Sequence, residues 1–197
     1  MQPSSQYEKI LWQDGYCYVA GVDEVGRGCL AGPVVAGAVI LPPQTDFDNI
    51  DDSKKLSKKT REQWVKKIQQ KAKSIGIGFC VSEEIDKLNI LKASLEAMRR
   101  AILNLRVCPD YVLIDGLYKI ELPLRQRCLP HGDSQSVSIA AASIIAKVYR
   151  DQIMATYHDL FPQYNLRKNK GYPTAEHKKA IKKYGLCYLH RRRFSYD

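Results

Sequence analysis

The chain has 197 residues, 45% of them hydrophobic, and a formal net charge of +10. That length and composition suit one domain with a sizeable core and exclude a wholly disordered chain. No apolar run approaches the ~20 residues that cross a bilayer, and residues 1–8 lack the basic-then-apolar order of a signal peptide, so a soluble, cytoplasmic protein is expected.

In chain order, an apolar strand-like run from Cys17 to Val22 ends in Asp23-Glu24, and a Gly26-Arg27-Gly28 hinge follows. Pro33 to Leu41 is rich in β-formers and bounded by Gly-Pro and Pro-Pro, which predicts a second strand. Ser57 is a plausible N-cap for a helix to about Lys73, and Ile75 to Val81 alternates with glycine as a third strand. Ser82-Glu83-Glu84 opens a short helical turn. From Asn89 to Arg106, Leu91, Leu95, Met98, Ile102 and Leu105 fall at helical spacing, so this helix has a core face. Tyr111 to Ile114 is a compact apolar strand that stops at Asp115-Gly116, and Arg125 to Leu129 is a short extended stretch. A long helix follows from about Val137 to Leu160, its opening run of small residues allowing close packing. Gly171-Tyr172-Pro173 interrupts the pattern, and Thr174 caps a basic helix to about Tyr184. The order β-β-α-β-α-β-α indicates an α/β layer fold, without specifying how the strands pair.

The charge is unevenly spread. Residues 54–73 carry a net +8, residues 164–197 another +8, and the remainder −6. An acidic scaffold flanked by two basic patches is the footprint of a polyanionic partner, although lysine-rich helices are also ordinary solvated faces. The six cysteines include no C-x-x-C pair, which suits buried thiols in a reducing compartment rather than a zinc site.

Two carboxylates at a strand end are costly to desolvate unless a cation meets them. Asp115 ends a second apolar strand, at the edge where α/β sheets bind ligands, and Gly132 before Asp133 suggests a turn bringing Asp133 back beside it. Taken singly, Asp115-Gly116 fits a turn and Asp133 an N-cap equally well. Together Asp23, Glu24, Asp115 and Asp133 would form an all-oxygen cluster, which selects Mg²⁺ or Mn²⁺ over zinc. Two such ions suit phosphodiester hydrolysis.

Gly21 to Gly28, Asp52-Ser53-Lys54-Lys55-Leu56, Ile114-Asp115-Gly116, Gly132-Asp133, Ala141 to Val148 and Lys170 to Thr174 occur in the order in which prokaryotic ribonuclease HII carries its motifs, and residues 20–194 resemble that family. The resemblance implies an RNase H-like fold: a mixed five-stranded sheet flanked by helices, with a small C-terminal helical segment at about 164–197. It implies hydrolysis of RNA paired with DNA, including cutting 5′ of ribonucleotides embedded in duplex DNA, by metal-activated water, leaving 3′-OH and 5′-phosphate ends. Asp23, Glu24, Asp115 and Asp133 match the family's catalytic, metal-holding acids. Gly26, Arg27 and Gly28 match the element that reads the ribose 2′-OH, and Tyr172 matches the tyrosine packing at the RNA–DNA junction. Ser53 and Lys54 are candidate phosphate contacts, and Lys147 either a phosphate contact or a solvated helix lysine. The four histidines are taken as surface or satisfied residues, and Arg191-Arg192-Arg193 either holds phosphate or closes the chain. The sister family, ribonuclease HIII, shows Gly-Thr-Gly in place of Gly26-Arg27-Gly28 and carries an extra N-terminal domain, for which the 16 residues before the first strand leave no room. A monomer is expected, and a sliding-clamp contact is left open. The rival readings are a non-catalytic nucleic-acid-binding module and a DNA nuclease or integrase-type enzyme.

Overall fold

The computed structural model describes residues 2–196 apart from 44, 46, 48, 49, 51, 52, 54 and 55. At its centre β1 (Val19–Val25) pairs antiparallel with β2 (Val34–Ile40), which pairs antiparallel with β3 (Ser74–Cys80). On its other side β1 runs parallel to β4 (Tyr111–Asp115), and β4 parallel to β5 (Arg125–Leu129), so the order is β3-β2-β1-β4-β5. The mixed five-stranded sheet is thus as expected. The helices are α1 (Gln6–Gln13), α2 (Lys58–Lys71), α3 (Ser82–Leu88), α4 (Ile90–Leu103), α5 (Val137–Leu160), α6 (Leu166–Asn169) and α7 (Ala175–Tyr184).

Two departures from the sequence reading bear on the site. The first strand begins at Val19 rather than Cys17 and runs one residue past Asp23-Glu24 to Val25, because β2 supplies ladder partners as far as Val35. The N-terminal segment, read as no element, forms α1, whose buried Glu8 accepts hydrogen bonds from Ser136 Oγ (2.5 Å), Ser138 Oγ (2.6 Å) and Ser138 N (3.0 Å). A carboxylate there meets the free amides and positive dipole end of α5. Ser57, Ser136 and Thr174 cap α2, α5 and α7 through their side-chain oxygens.

Strand alternation sorts the core into two layers. Val22, Val112 and Ile114 face α4 and pack with its Ala93, Ala97, Met98, Ala101 and Ile102. Val19 and Leu113 face the other way and pack with Ile139 of α5, while Val39 and Leu41 join α5 and α2 around Trp64 and Ile68. Gly21 and Gly37 bring α5 unusually near the sheet: a Cβ at Gly21 would lie 2.2 Å from the Ser138 carbonyl carbon, and one at Gly37 2.5 Å from Ala142 O. That approach explains the run Ala140-Ala141-Ala142-Ser143, all buried on α5. The C-terminal segment packs Tyr164, Leu166 and Leu189 on Ala31 and Met154.

Candidate active site

Asp23 on β1 and Asp115 on β4 leave neighbouring parallel strands one residue beyond the paired Val22 and Ile114, on the face toward α5. Glu24 starts from the opposite side of the pleat, yet its longer side chain brings an oxygen into the same group. One carboxylate oxygen from each of Asp23, Glu24 and Asp115 lies within 4.8 Å of the others. Asp133, buried in a 3₁₀ turn over Gly132–Ser134, is not one of these three, but its charge acts on Asp23. The turn is tied to β4 by the Gly132 amide, which donates to Asp115 Oδ1 at 2.6 Å.

The electrostatics of the cluster call for positive charge. Burial pushes the Asp23 carboxyl well above the ordinary carboxylate range, and the charges of Glu24 and Asp115 push the same way against a Ser143 hydrogen bond. Glu24 is also raised by burial, opposed by the Arg27 guanidinium 3.3 Å away and reinforced by Asp115. Arg27 is half exposed, so its compensation is weak. An all-oxygen set held this close fits a hard divalent ion.

Beside the acids runs the Gly26–Gly28 loop. Leu30 N and Ala31 N donate to Gly171 O (2.7 and 3.3 Å), which draws the loop's far end against the Gly171-Tyr172-Pro173 turn. Gly171 has φ +81°, and a Cβ there would sit 2.3 Å from Ala31 O, so the contact requires glycine. Tyr172 is 38% exposed, and the Arg150 guanidinium lies 5.9 Å from its ring centre. Backbone pairing thus sets Leu30 and Ala31, just beyond the loop, against the turn that carries Tyr172.

Ser53 is buried and hydrogen-bonds Ser143 Oγ at 2.9 Å, behind Asp23 and away from solvent. Lys54 lies outside the described residues. Lys147 is held by Asp151 at 2.8 Å, with Arg61 3.8 Å from the same carboxylate. The two basic patches, far apart in sequence, meet across α5. Lys58 and Arg61 of α2 and Arg167 and Lys170 around α6 line one cleft of about 450 Å³ with Asp151. The arginine triplet divides: Arg192 and Arg193 are exposed, but Arg191 is fully buried. Its burial was not foreseen, since three adjacent arginines carry no signal of which one faces inward.

Residues 20–196 match the family model described as Ribonuclease HII. A ribonuclease HII from Syntrophus aciditrophicus is 53% identical over 188 residues, covering 95% of this chain and 89% of that protein. The solved ribonuclease H2 from Pyrococcus horikoshii superposes with a TM-score of 0.77 at 24% identity, covering 91% of this chain and 94% of the other. The ribonuclease HII of Archaeoglobus fulgidus, solved in complex with PCNA, gives 0.75 at 25% identity, covering 90% and 95%.

Proposed function

The chain belongs to the ribonuclease HII family, and from that premise we propose that it is a divalent-metal-dependent endoribonuclease. Its substrates are the RNA strand of RNA–DNA hybrids and single ribonucleotides embedded in duplex DNA, cut on the 5′ side to leave 3′-OH and 5′-phosphate ends. The observation that carries this reading is the convergence of Asp23, Glu24 and Asp115 within 4.8 Å beside the Gly26–Gly28 loop and Tyr172. We assign residues 1–197 to one catalytic domain and take the protein as a cytoplasmic monomer.

Asp23, Glu24, Asp115 and Asp133 would hold Mg²⁺ or Mn²⁺, with two ions during catalysis. Bound there, a divalent ion supplies Lewis-acid activation of water and of the phosphodiester. The protein's own groups do the rest by position. Ser143 and the Glu24 amide, 2.7 Å from Asp23 Oδ1, fix the Asp23 carboxylate. Arg27 and the loop amides meet the ribose, where the 2′-OH alone distinguishes RNA from DNA. Tyr172 packs on the sugar at the junction. The cleft of Lys58, Arg61, Arg167 and Lys170 tracks the phosphate backbone.

A labelled duplex carrying one ribonucleotide, incubated with Mg²⁺, with Mn²⁺ and with EDTA, tests the reading. Cutting 5′ of the ribonucleotide that stops with EDTA, while an all-DNA duplex stays intact, is expected. Cutting that persists in EDTA removes the metal mechanism, and cutting of the all-DNA duplex favours a DNA nuclease.

A further inference from the structure

The structure buries two arginines completely, Arg150 of α5 and Arg191 near the C-terminus, and among the described residues neither forms an ion pair. A buried guanidinium without a carboxylate is an expensive way to fill a core, so its partners are informative. All of them are main-chain carbonyls around the Gly26–Gly28 loop. Arg191 Nη2 donates to Gly26 O at 2.6 Å and to Gly32 O at 2.9 Å, Nη1 to Arg27 O at 2.7 Å, and Nε to Gly32 O at 3.1 Å. Arg150 donates to Pro33 O, Lys170 O and Ala31 O at 2.9, 2.9 and 3.3 Å. It also underlies the loop: Gly26 has φ +96°, and a Cβ there would fall 2.2 Å from Arg150 Nε.

Peptide planarity turns this clasp into a direction. In a trans peptide the C=O of one residue and the N–H of the next point opposite ways. With the carbonyls of Gly26 and Arg27 both drawn onto Arg191, the amides of Arg27 and Gly28 point away from it. Among the described residues neither amide donates to a main-chain carbonyl, and a Cβ built at Gly28 would meet nothing within 4 Å. Two consecutive outward N–H groups make a seat for one oxygen.

We propose that Arg191 is the positioning residue for ribose discrimination: its buried guanidinium pins the Gly26 and Arg27 carbonyls inward and thereby aims the Arg27 and Gly28 amides at the 2′-hydroxyl. This rests on the reading of the loop given under the proposed function. Arg191 touches no substrate and acts through the loop. Lysine keeps one positive charge but cannot serve three carbonyls in a plane, so Arg191→Lys loosens the aim without emptying the site of charge. Its neighbour Arg192, exposed, is the control for a simple phosphate grip.

The test compares dissociation constants, by fluorescence anisotropy in metal-free buffer, for two duplexes that differ in a single 2′-OH. The wild-type chain prefers the ribonucleotide duplex. Arg191→Lys is expected to cut that preference at least about tenfold while binding all-DNA duplex within twofold of wild type, whereas Arg192→Ala weakens both duplexes alike. An unchanged preference in folded Arg191→Lys overturns the proposal, as does an equal loss of affinity for both duplexes, which assigns Arg191 to phosphate. A wild-type chain without preference fails at the earlier step, since the loop then does not read the hydroxyl. If Arg191→Lys does not fold, Tyr196→Phe replaces it. The Tyr196 hydroxyl donates to Arg191 O at 2.6 Å from a half-buried position, and its loss is expected to lower the preference about threefold. An unchanged preference in Tyr196→Phe then overturns the proposal.

Discussion

Asp23→Asn should stabilise the metal-free protein while destroying its activity. The Asp23 carboxyl is buried, and an oxygen of it lies within 4.8 Å of oxygens from both Glu24 and Asp115. Two unit charges at that separation repel by about 3.5 kcal/mol at an effective dielectric of ~20. Burial first and this repulsion second hold the Asp23 carboxyl well above its usual range, so the folded protein relieves part of the cost by keeping a proton there. Asparagine removes the charge and keeps an oxygen for the Glu24 amide, which now donates to Asp23 Oδ1 at 2.7 Å. We expect a net gain of about 2 kcal/mol at neutral pH, or roughly 4–8 °C in melting midpoint for a chain of this size. Differential scanning fluorimetry in EDTA reads it directly. With saturating Mg²⁺ or Mn²⁺ the order narrows or inverts, because a ligand at a hundred times its dissociation constant stabilises the wild type by about 2.7 kcal/mol and the variant holds it poorly. Cleavage of a single-ribonucleotide duplex should fall at least about hundredfold. A variant that melts at or below the wild-type midpoint in EDTA would refute the electrostatic argument.

Gly37→Ala places a Cβ 2.5 Å from Ala142 O, and backing α5 off the sheet should cost about 2–3 kcal/mol and reduce turnover by moving Ser143 from Asp23. Urea denaturation and a cleavage assay check both, and a neutral result means α5 yields freely. Glu8→Ala strips the acceptor from three buried donors at the start of α5 and should cost about 2–3 kcal/mol, read as a lowered urea midpoint; stability equal to wild type would make that network incidental. His177 and His190 are buried with their Nε2 atoms 3.3 Å apart, and burial pulls both below the ordinary imidazole range, His190 to about 4. Tyr172 O accepts from His177 Nδ1, and Cys187 N donates to His190 Nδ1, so a neutral pair satisfies every contact. Because the folded pKa lies below the unfolded one, this pair's contribution to stability is intact above pH 6.5 and declines as pH falls from there toward about 4. Imidazole ¹⁵N shifts should show the His190 ring neutral at pH 5.5, and a protonated His190 there would contradict the assignment.

The local pattern of the sequence determined the elements and the chemistry type. Apolar runs bounded by turn residues located four strands, with β5 read only as a short extended stretch, and helical spacing located α4, since these signals arise within a segment. Asp23, Glu24 and Asp115 stood out as candidates because carboxylates at strand ends are costly unless a cation meets them, whereas Arg27 and Tyr172 entered only through the resemblance to the ribonuclease HII motifs. What remained hidden was set by partners distant in the chain. The parallel pairing of β1 with β4 brings Asp23 beside Asp115 across some ninety residues. The C-terminal bridge of Ala31 with His190 turns Arg191 inward while Arg192 and Arg193 stay in water. Glu8 looks like any surface acid until α5 presents its free amides. Residue type and spacing carry what a side chain can do, but burial and hydrogen-bond partners depend on which segment arrives opposite, and that is decided only when the sheet closes.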